Sequence, residues 1–264
     1  LGLIASTDTH NGSPGYVDES RFVGHRGLDD DTPDKQLGPG GITIGGMEFS
    51  PGGLVGVWAE ENSRPALFDA MKRRETFGTS GPRITVRFFG GADLPSGLCS
   101  DPSLVETGYQ LGVPMGGTLS VPSGKAPRFV VQAFRDPGEG AQRGTPLQVV
   151  QIVKGTLVGG VAQTTVFDVA GDRKNGASVD VATCVRSGEG ADSLCGTWTD
   201  PSFDPSQPAF YYVRVLENPS CRWNSYLCNA LPVGSRPAPC SDPDVPRTIQ
   251  ERAWASPIYY IPGS

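Results

Sequence analysis

Short apolar runs separated by segments rich in Gly, Pro and Asp dominate the chain, a pattern typical of strands joined by loops. The run Leu54–Ala59 predicts a strand. Ser63 follows as an N-cap residue with Pro65 in the first turn, and these signals predict a helix that ends at the basic run 72–74. Strand character returns between residues 76 and 89, so the first third of the chain has an α/β pattern.

The pattern changes beyond Gly90. β-Branched and aromatic residues form further runs at 128–134, 147–153, 178–184 and 210–215. No helical period separates these runs, and turn residues follow each of them, which predicts an antiparallel β-sandwich. We therefore expect an α/β plus all-β chain, divided into residues 1–89 and a sandwich-like domain of residues 90–264.

The opening stretch GLIASTDTHNGSPG suggests chemistry. An apolar run that breaks into Gly, Ser and Pro predicts a buried strand ending in a loop, and residues i and i+2 of a strand share one face. Asp8 and His10 would then project together, as ligands of a divalent metal do. The alternative is that Asp8 caps a turn and His10 is a polar loop residue. His25, in the long loop that follows, could reach this metal or be an ordinary loop histidine.

Composition narrows the function classes. The chain has 264 residues, 36 of them Gly and 24 Pro, which favours strands and loops over long helices. The net charge of −6 and the lack of a basic stripe argue against DNA or RNA as a partner. No run approaches the roughly 18 consecutive apolar residues of a membrane span, so we expect no transmembrane helix.

The six cysteines indicate disulfides. They are Cys99, Cys184, Cys195, Cys221, Cys228 and Cys240, and none forms a C-x-x-C pair. An even number in a loop-rich sequence predicts a disulfide framework and an oxidising compartment, either periplasmic or extracellular. Six reduced cysteines are the alternative. We expect a local bridge between Cys184 and Cys195, with two bridges among the other four.

Three stretches together resemble a known family. GLIASTDTHNGSPG, VWAEENSRPALFDAMKRRETFGTSGPRI and ERAWASPIYY are similar to domain-of-unknown-function family 3604, a branch of the PHP (polymerase and histidinol phosphatase) metallohydrolase superfamily. The resemblance implies that residues 1–89 are the C-terminal end of a distorted α/β barrel whose strand ends carry metal ligands. In that superfamily the last barrel strand supplies an Asp-x-His pair, and the resemblance places this pair at Asp8 and His10. The chain has only two histidines, so most of the superfamily's metal ligands lie outside it.

Three further residues are candidates for chemistry at such a site. Glu61 and Arg64, in E-E-N-S-R, could orient water or clamp an anionic ester, and Arg83, in T-S-G-P-R, could bind phosphate or sulfate. Structural ion pairing of Glu61 with Arg64, and packing of Arg83 at a domain boundary, are the alternatives.

The resemblance implies the C-terminal part of an exported hydrolase that uses Zn, Mn or Fe on phosphate esters, sulfate esters or related bonds. An upstream half of the polypeptide or a second chain would complete the barrel and its site. Residues 1–264 alone would bind metal weakly, be inactive and associate as a homo-oligomer. The rival hypothesis is a non-catalytic cell-envelope module with a degenerate metal site.

Overall fold

The computed structural model of the chain describes residues 1–38, 46–139 and 143–263. The α-helices are α1 Pro33–Leu37, α2 Arg64–Arg73, α3 Leu104–Leu111 and α4 Trp223–Ala230. The strands are β1 Leu54–Val57, β2 Thr76–Thr79, β3 Thr85–Gly91, β4 Val113–Pro114, β5 Thr118–Leu119, β6 Arg128–Phe134, β7 Leu147–Val158, β8 Val161–Gly171, β9 Ser178–Asp180, β10 Val185–Ser187, β11 Ser193–Thr199, β12 Ala209–Glu217, β13 Ser220–Cys221, β14 Thr248–Ile249, β15 Arg252–Ala255 and β16 Ile258–Tyr260. Short 3-10 turns lie at Glu19–Arg21, Gly27–Asp29, Gly46–Glu48, Leu98–Ser100, Val233–Ser235 and Ala238–Cys240.

An eight-stranded sheet is centred on β12. β7 pairs with one edge of β12, and β8 pairs with β7. β15 and β16 lie end to end along the other edge of β12. β2 and then β1 extend the sheet beyond β15. β5 pairs with β16, and these two strands run parallel.

A second sheet, in the order β11-β6-β3-β4, packs against the first. The main core contains side chains from both sheets, including Phe88 and Phe129 from the second and Ile152, Tyr211 and Val213 from the first. Tyr211 lies on the buried face of β12, and burial alternates from residue to residue along this strand. The protein is therefore mixed α/β and β-rich, with mainly antiparallel sheets, and the two larger sheets share one core.

The opening segment is extended but is not a strand, which corrects the expectation from its apolar run. Residues 1–7 lie across the end of the large sheet and are held by separate hydrogen bonds from side chains and from the backbone. The backbone N–H of Leu3 donates to Ser256 Oγ at 2.8 Å, and Thr76 Oγ1 donates to the Leu3 carbonyl. The Ser6 carbonyl accepts a hydrogen bond from the N–H of Gly53 at 2.9 Å. These contacts replace the sheet ladder that a strand would form.

Helix α2 begins as the sequence indicates. Ser63 Oγ accepts a hydrogen bond from the N–H of Ala66, and Arg74 ends the helix in the left-handed conformation. Only Ala70 is buried, however, and Phe68 and Met71 are 61% and 48% exposed. The apolar stripe of α2 is therefore mostly a surface feature of the described chain.

The later part of the chain is less uniform than its sequence predicts. α3 and α4 are short helices in a region where only strands were expected. The residue-89 boundary lies inside β3, and strands from both sides of it pair in the large sheet. Whether the two parts fold independently stays a prediction. No closed barrel is present within the described residues, and none of their helices has the length and hydropathy needed to cross a membrane.

All six cysteines form disulfides, as expected. The pairs are Cys99–Cys195, Cys184–Cys221 and Cys228–Cys240. The predicted bridge between Cys184 and Cys195 is wrong: Cys195 lies in β11 beside β6 and reaches the turn at Leu98–Ser100, whereas Cys184 meets β13. Three disulfides indicate an oxidising environment.

Candidate metal centre

Asp8 and His10 lie where the extended opening segment turns into a loop. Asp8 has φ +50°, a left-handed conformation that Asp tolerates better than most residues. The chain therefore turns at this residue, and His10 Nε2 comes within 3.9 Å of Asp8 Oδ1. Both side chains are exposed, at 66% for His10 and 86% for Asp8. They are consequently open to an ion or a substrate from solvent.

A tight loop brings His25 to the same place. The N–H of His10 donates to the His25 carbonyl at 2.8 Å, which ties the two segments together. Buried Asp30 accepts hydrogen bonds from the N–H groups of His25 and Arg26 and so closes the loop. Gly24 has φ +91°, and a Cβ there would lie 2.6 Å from the Asp30 carbonyl oxygen. Only glycine fits this position without strain.

The His25 imidazole is buried against two other rings. It stacks on Phe49 with ring centroids 4.2 Å apart and lies 5.1 Å from the ring of His10. Burial is the main cause that lowers the pKa of His25 below its ordinary value, and His10 adds to this effect. The neutral imidazole is the form that binds metal ions. His25 Nδ1 is buried and has no hydrogen-bond partner among the described residues.

The three side chains fit a divalent cation. One ligand atom from each of Asp8, His10 and His25 lies within 4.8 Å of the other two. Tetrahedral zinc ligands are about 3.3 Å apart when each is bound at ~2.0–2.1 Å, and the 3.9 Å between His10 Nε2 and Asp8 Oδ1 is somewhat longer than this spacing. Two imidazoles and one carboxylate suit Zn, Mn or Fe, and three protein ligands leave a coordination position open.

The other predicted site residues divide between the two ends of β1. Asp8 lies near the first residue of β1, because Ser6, two residues before Asp8, bonds to Gly53 immediately before this strand. Glu61 and Arg64 come after the opposite end of β1 and are exposed. Arg83 follows β2 and returns to the end of the sheet that Asp8 occupies, because Leu54 pairs with Thr79. The Arg83 N–H donates to Asp136, and its side chain is exposed.

Sequence reasoning missed two residues next to the centre. Phe49 stacks on His25, and the Arg26 guanidinium lies 4.7 Å from the Phe49 ring centroid. Arg26 therefore adds positive charge beside the candidate ligands. The dipeptide His25-Arg26 was the available signal, but the contact of Phe49 with His25 spans a gap of more than twenty residues that no local pattern encodes.

An acidic cluster of half-buried Glu19 and buried Glu251, also missed, connects the loop after the opening segment to the sheet. Glu19 accepts a hydrogen bond from the N–H of Trp223, and the Ser80 hydroxyl donates a hydrogen bond to Glu251. Burial raises the pKa of Glu19 to about 8, with a further contribution from Glu251, and burial raises the pKa of Glu251 to about 7. Arg222 partly offsets this effect for both carboxyls. Burial therefore favours the protonated form of both carboxyls.

Comparison with known proteins identifies the family. No curated protein and no solved structure matches this chain. A family model described as a protein of unknown function, DUF3604, matches residues 1–262 and so covers nearly the whole chain. The chain therefore belongs to the DUF3604 family.

Proposed function

We propose that this chain is the C-terminal part of an exported, PHP-like metal-dependent hydrolase. The observation that carries the proposal is the convergence of Asp8, His10 and His25 to within 4.8 Å from two separate segments. The resemblance of the opening motif to the PHP superfamily supports the same assignment. The three disulfides support export to the periplasm or the extracellular space.

The chemistry follows from the ligand set. When bound, a divalent cation supplies Lewis-acid polarisation of an ester and makes hydroxide accessible near neutral pH. Asp8 contributes negative charge and His25 a neutral imidazole held by Phe49. Arg83, at the same end of the sheet, and Arg26, beside Phe49, are suited to bind the anionic group of a phosphate or sulfate ester.

The barrel and its partner are also part of the proposal. Residues 1–89 would form the end of a PHP-like barrel completed by an upstream half of the polypeptide or by a second chain. The apolar face of α2, with Leu67, Phe68 and Met71 on a shallow surface, is the kind of surface that a completing element covers. Further ligands from that partner would raise metal affinity.

Metal content and ester turnover of the full-length protein test the proposal. Asp8→Ala and His10→Ala should each lose bound metal and lower kcat/KM for a phosphate or sulfate ester by at least ~100-fold, because the loss of one ligand from such a site removes activation of water. Asp69→Ala, an exposed carboxylate on α2, is the matched control and should match wild type. Unchanged metal content and turnover in both site variants would refute the assignment.

A structural metal in a non-catalytic envelope module is the second candidate. One observation favours it: Glu61 and Arg64, the predicted catalytic pair, lie beyond the end of β1 that is remote from Asp8. In that case the ion would join the opening segment to the His25 loop without chemistry. Added metal would then raise Tm, and Asp8→Ala would abolish this effect, while no ester is turned over at any metal concentration.

A further inference from the structure

The hairpin of β7 and β8 exposes a free sheet edge. Its turn is Gly159-Gly160, with φ values of +58° and +81°, and Val158 pairs with Val161 across it. β8 pairs with β7 and with no other strand of the described chain. Every residue from Val161 to Val166 is exposed, whereas the end of β8 near Gly171 packs on β11. The first half of β8 is therefore an unpaired edge.

The register identifies the free backbone groups. A two-residue hairpin turn is closed by a hydrogen-bonded pair, here Val158 and Val161, and such pairs alternate along the ladder. Gln163 and Thr165 consequently bond to β7. Ala162, Thr164 and Val166 direct their N–H and C=O groups outward, and no hydrogen bond to these groups comes from elsewhere in the described residues.

This edge lacks the features that usually prevent strand addition. The sequence from Gly155 to Phe167 contains no charged residue and no proline. Four of its apolar side chains are exposed by 44–64%: Leu157, Val158, Val161 and Val166. The one register shift between the two strands lies at Val150 and Gln151, well away from the free half. An exposed edge of this kind is a pairing surface.

We propose that a second copy of this chain pairs with the free half of β8, antiparallel and across a two-fold axis at Thr164. Residues equidistant from Thr164 then lie opposite each other. Val161 faces Phe167, Ala162 faces Val166 and Gln163 faces Thr165, so apolar residues meet apolar ones and polar residues meet polar ones. Matched cross-strand pairs of this kind stabilise a sheet.

A second copy fits this edge better than other occupants. Each chain carries a net charge of −6, so two copies repel unless they meet at a neutral surface, and residues 155–167 are such a surface. The lack of charge also gives a charged peptide nothing to recognise. Val161 of the second copy would lie on the face of Phe167, whose ring is 4.6 Å from that of Trp198. The contact is isologous and closes as a dimer.

Sedimentation of the folded, oxidised chain over a range of concentrations tests this dimer. The contact is at the low end of interface sizes, below ~1,200 Å², so we expect reversible dimerisation at micromolar concentrations. Thr164→Pro removes one outward N–H without breaking the bonds to β7 and should weaken the dimer at least tenfold. Thr164→Val keeps that N–H and should dimerise as wild type. Val166→Lys adds a cation to the edge and should also give a monomer, whereas Val185→Lys, at an exposed valine in β10, should not.

Cross-linking tests the axis itself. Thr164→Cys places two thiols across the two-fold axis at about 5.5 Å between Cα atoms, which is within disulfide range. The wild-type cysteines are all paired, so the introduced thiols are the ones free to cross-link. Gln163→Cys offsets the two thiols by two positions and should cross-link far less. A wild-type chain that stays monomeric at 200 μM would overturn the proposal. So would binding of the monomer to neutral lipid vesicles through the same hairpin, or dimers that Thr164→Pro and Val166→Lys leave unchanged.

Discussion

At the scale of single residues, the candidate ligands meet for a reason that differs from the sequence argument. The sequence predicts that Asp8 and His10 share one face of a strand. In the structure Asp8 adopts a left-handed conformation, and the N–H of His10 bonds to His25. Residue types and spacing indicated which side chains could bind metal. They could not indicate the backbone turn, because a positive φ at Asp depends on contacts distant in sequence.

Gly24 is the residue whose backbone positions His25 most directly. Gly24→Ala introduces a Cβ 2.6 Å from the Asp30 carbonyl oxygen at φ +91°, so the His25 loop must shift. We expect the Kd for Zn²⁺ to rise about 10- to 100-fold, as for other supporting residues of metal sites. Gly27→Ala is the matched control, since Gly27 also has a positive φ but has no atom within 4 Å of the added Cβ. Isothermal titration of both variants measures the effect, and equal losses of affinity would contradict it.

Glu19 and Glu251 predict how stability depends on pH. The folded-state pKa of each carboxyl is raised, to about 8 and about 7, so the folded state binds more protons than the unfolded state above pH 4.5. Their contribution is fully present below pH 4.5 and is lost as pH rises through 7–8. We expect the free energy of unfolding of wild type relative to Glu251→Gln to fall between pH 5 and pH 8. Glu60→Gln, at an exposed site, is the control: its unfolding free energy, measured in urea, should differ from that of wild type by the same amount at every pH. A constant difference for Glu251→Gln as well would show that burial does not raise the pKa of this carboxyl.

At the scale of elements, strands with a clear pattern of apolar residues were predictable from the sequence, whereas a strand exposed on both faces was not. The run 128–134 coincides with β6, and the N-cap of α2 was correctly placed at Ser63. β8 was missed because its first six residues are exposed on both faces and show no alternation of apolar and polar positions. α3 and α4 span eight residues each, too short for a helical period to stand out.

The disulfides give a prediction about these elements. Cys99 and Cys195 are 96 residues apart in sequence, whereas Cys228 and Cys240 are 12 apart. Closing the longer loop removes more entropy from the unfolded chain, by about 2 kcal/mol in the loop-closure relation. The double variant Cys99→Ala, Cys195→Ala should therefore lose about 1–2 kcal/mol more unfolding free energy than Cys228→Ala, Cys240→Ala. Urea unfolding compares them, and a larger loss for the shorter loop would contradict the expectation.

At the scale of the whole molecule, the two sheets depend on a shared core. The division of the sequence at residue 89 followed a change in composition, but long-range pairing of β15 with β2 is invisible to composition. Phe129 shows the dependence: its buried ring lies 5.6 Å from that of Phe88, on the other side of the residue-89 boundary, and 4.4 Å from that of Tyr211 in the facing sheet. The core therefore couples residues that the sequence analysis assigned to different units.

This coupling predicts the effect of a core substitution. Phe129→Ala should lower the free energy of unfolding by about 3–5 kcal/mol through lost burial and a cavity. Because both sheets line the core, fluorescence and far-UV circular dichroism should still report one transition, at a lower urea midpoint. Two separated transitions would instead show that residues 1–89 unfold independently.

The central claim is that Asp8, His10 and His25 hold one divalent cation. Its most direct test is titration of the metal-free chain with Zn²⁺ and Mn²⁺, followed for wild type and for Asp8→Ala, His10→Ala and His25→Ala, with Asp69→Ala as control. We predict a stoichiometry of one ion per chain for wild type and the control, and a loss of affinity of at least ~100-fold in each ligand variant. Equal affinity in wild type and all three ligand variants would contradict the account.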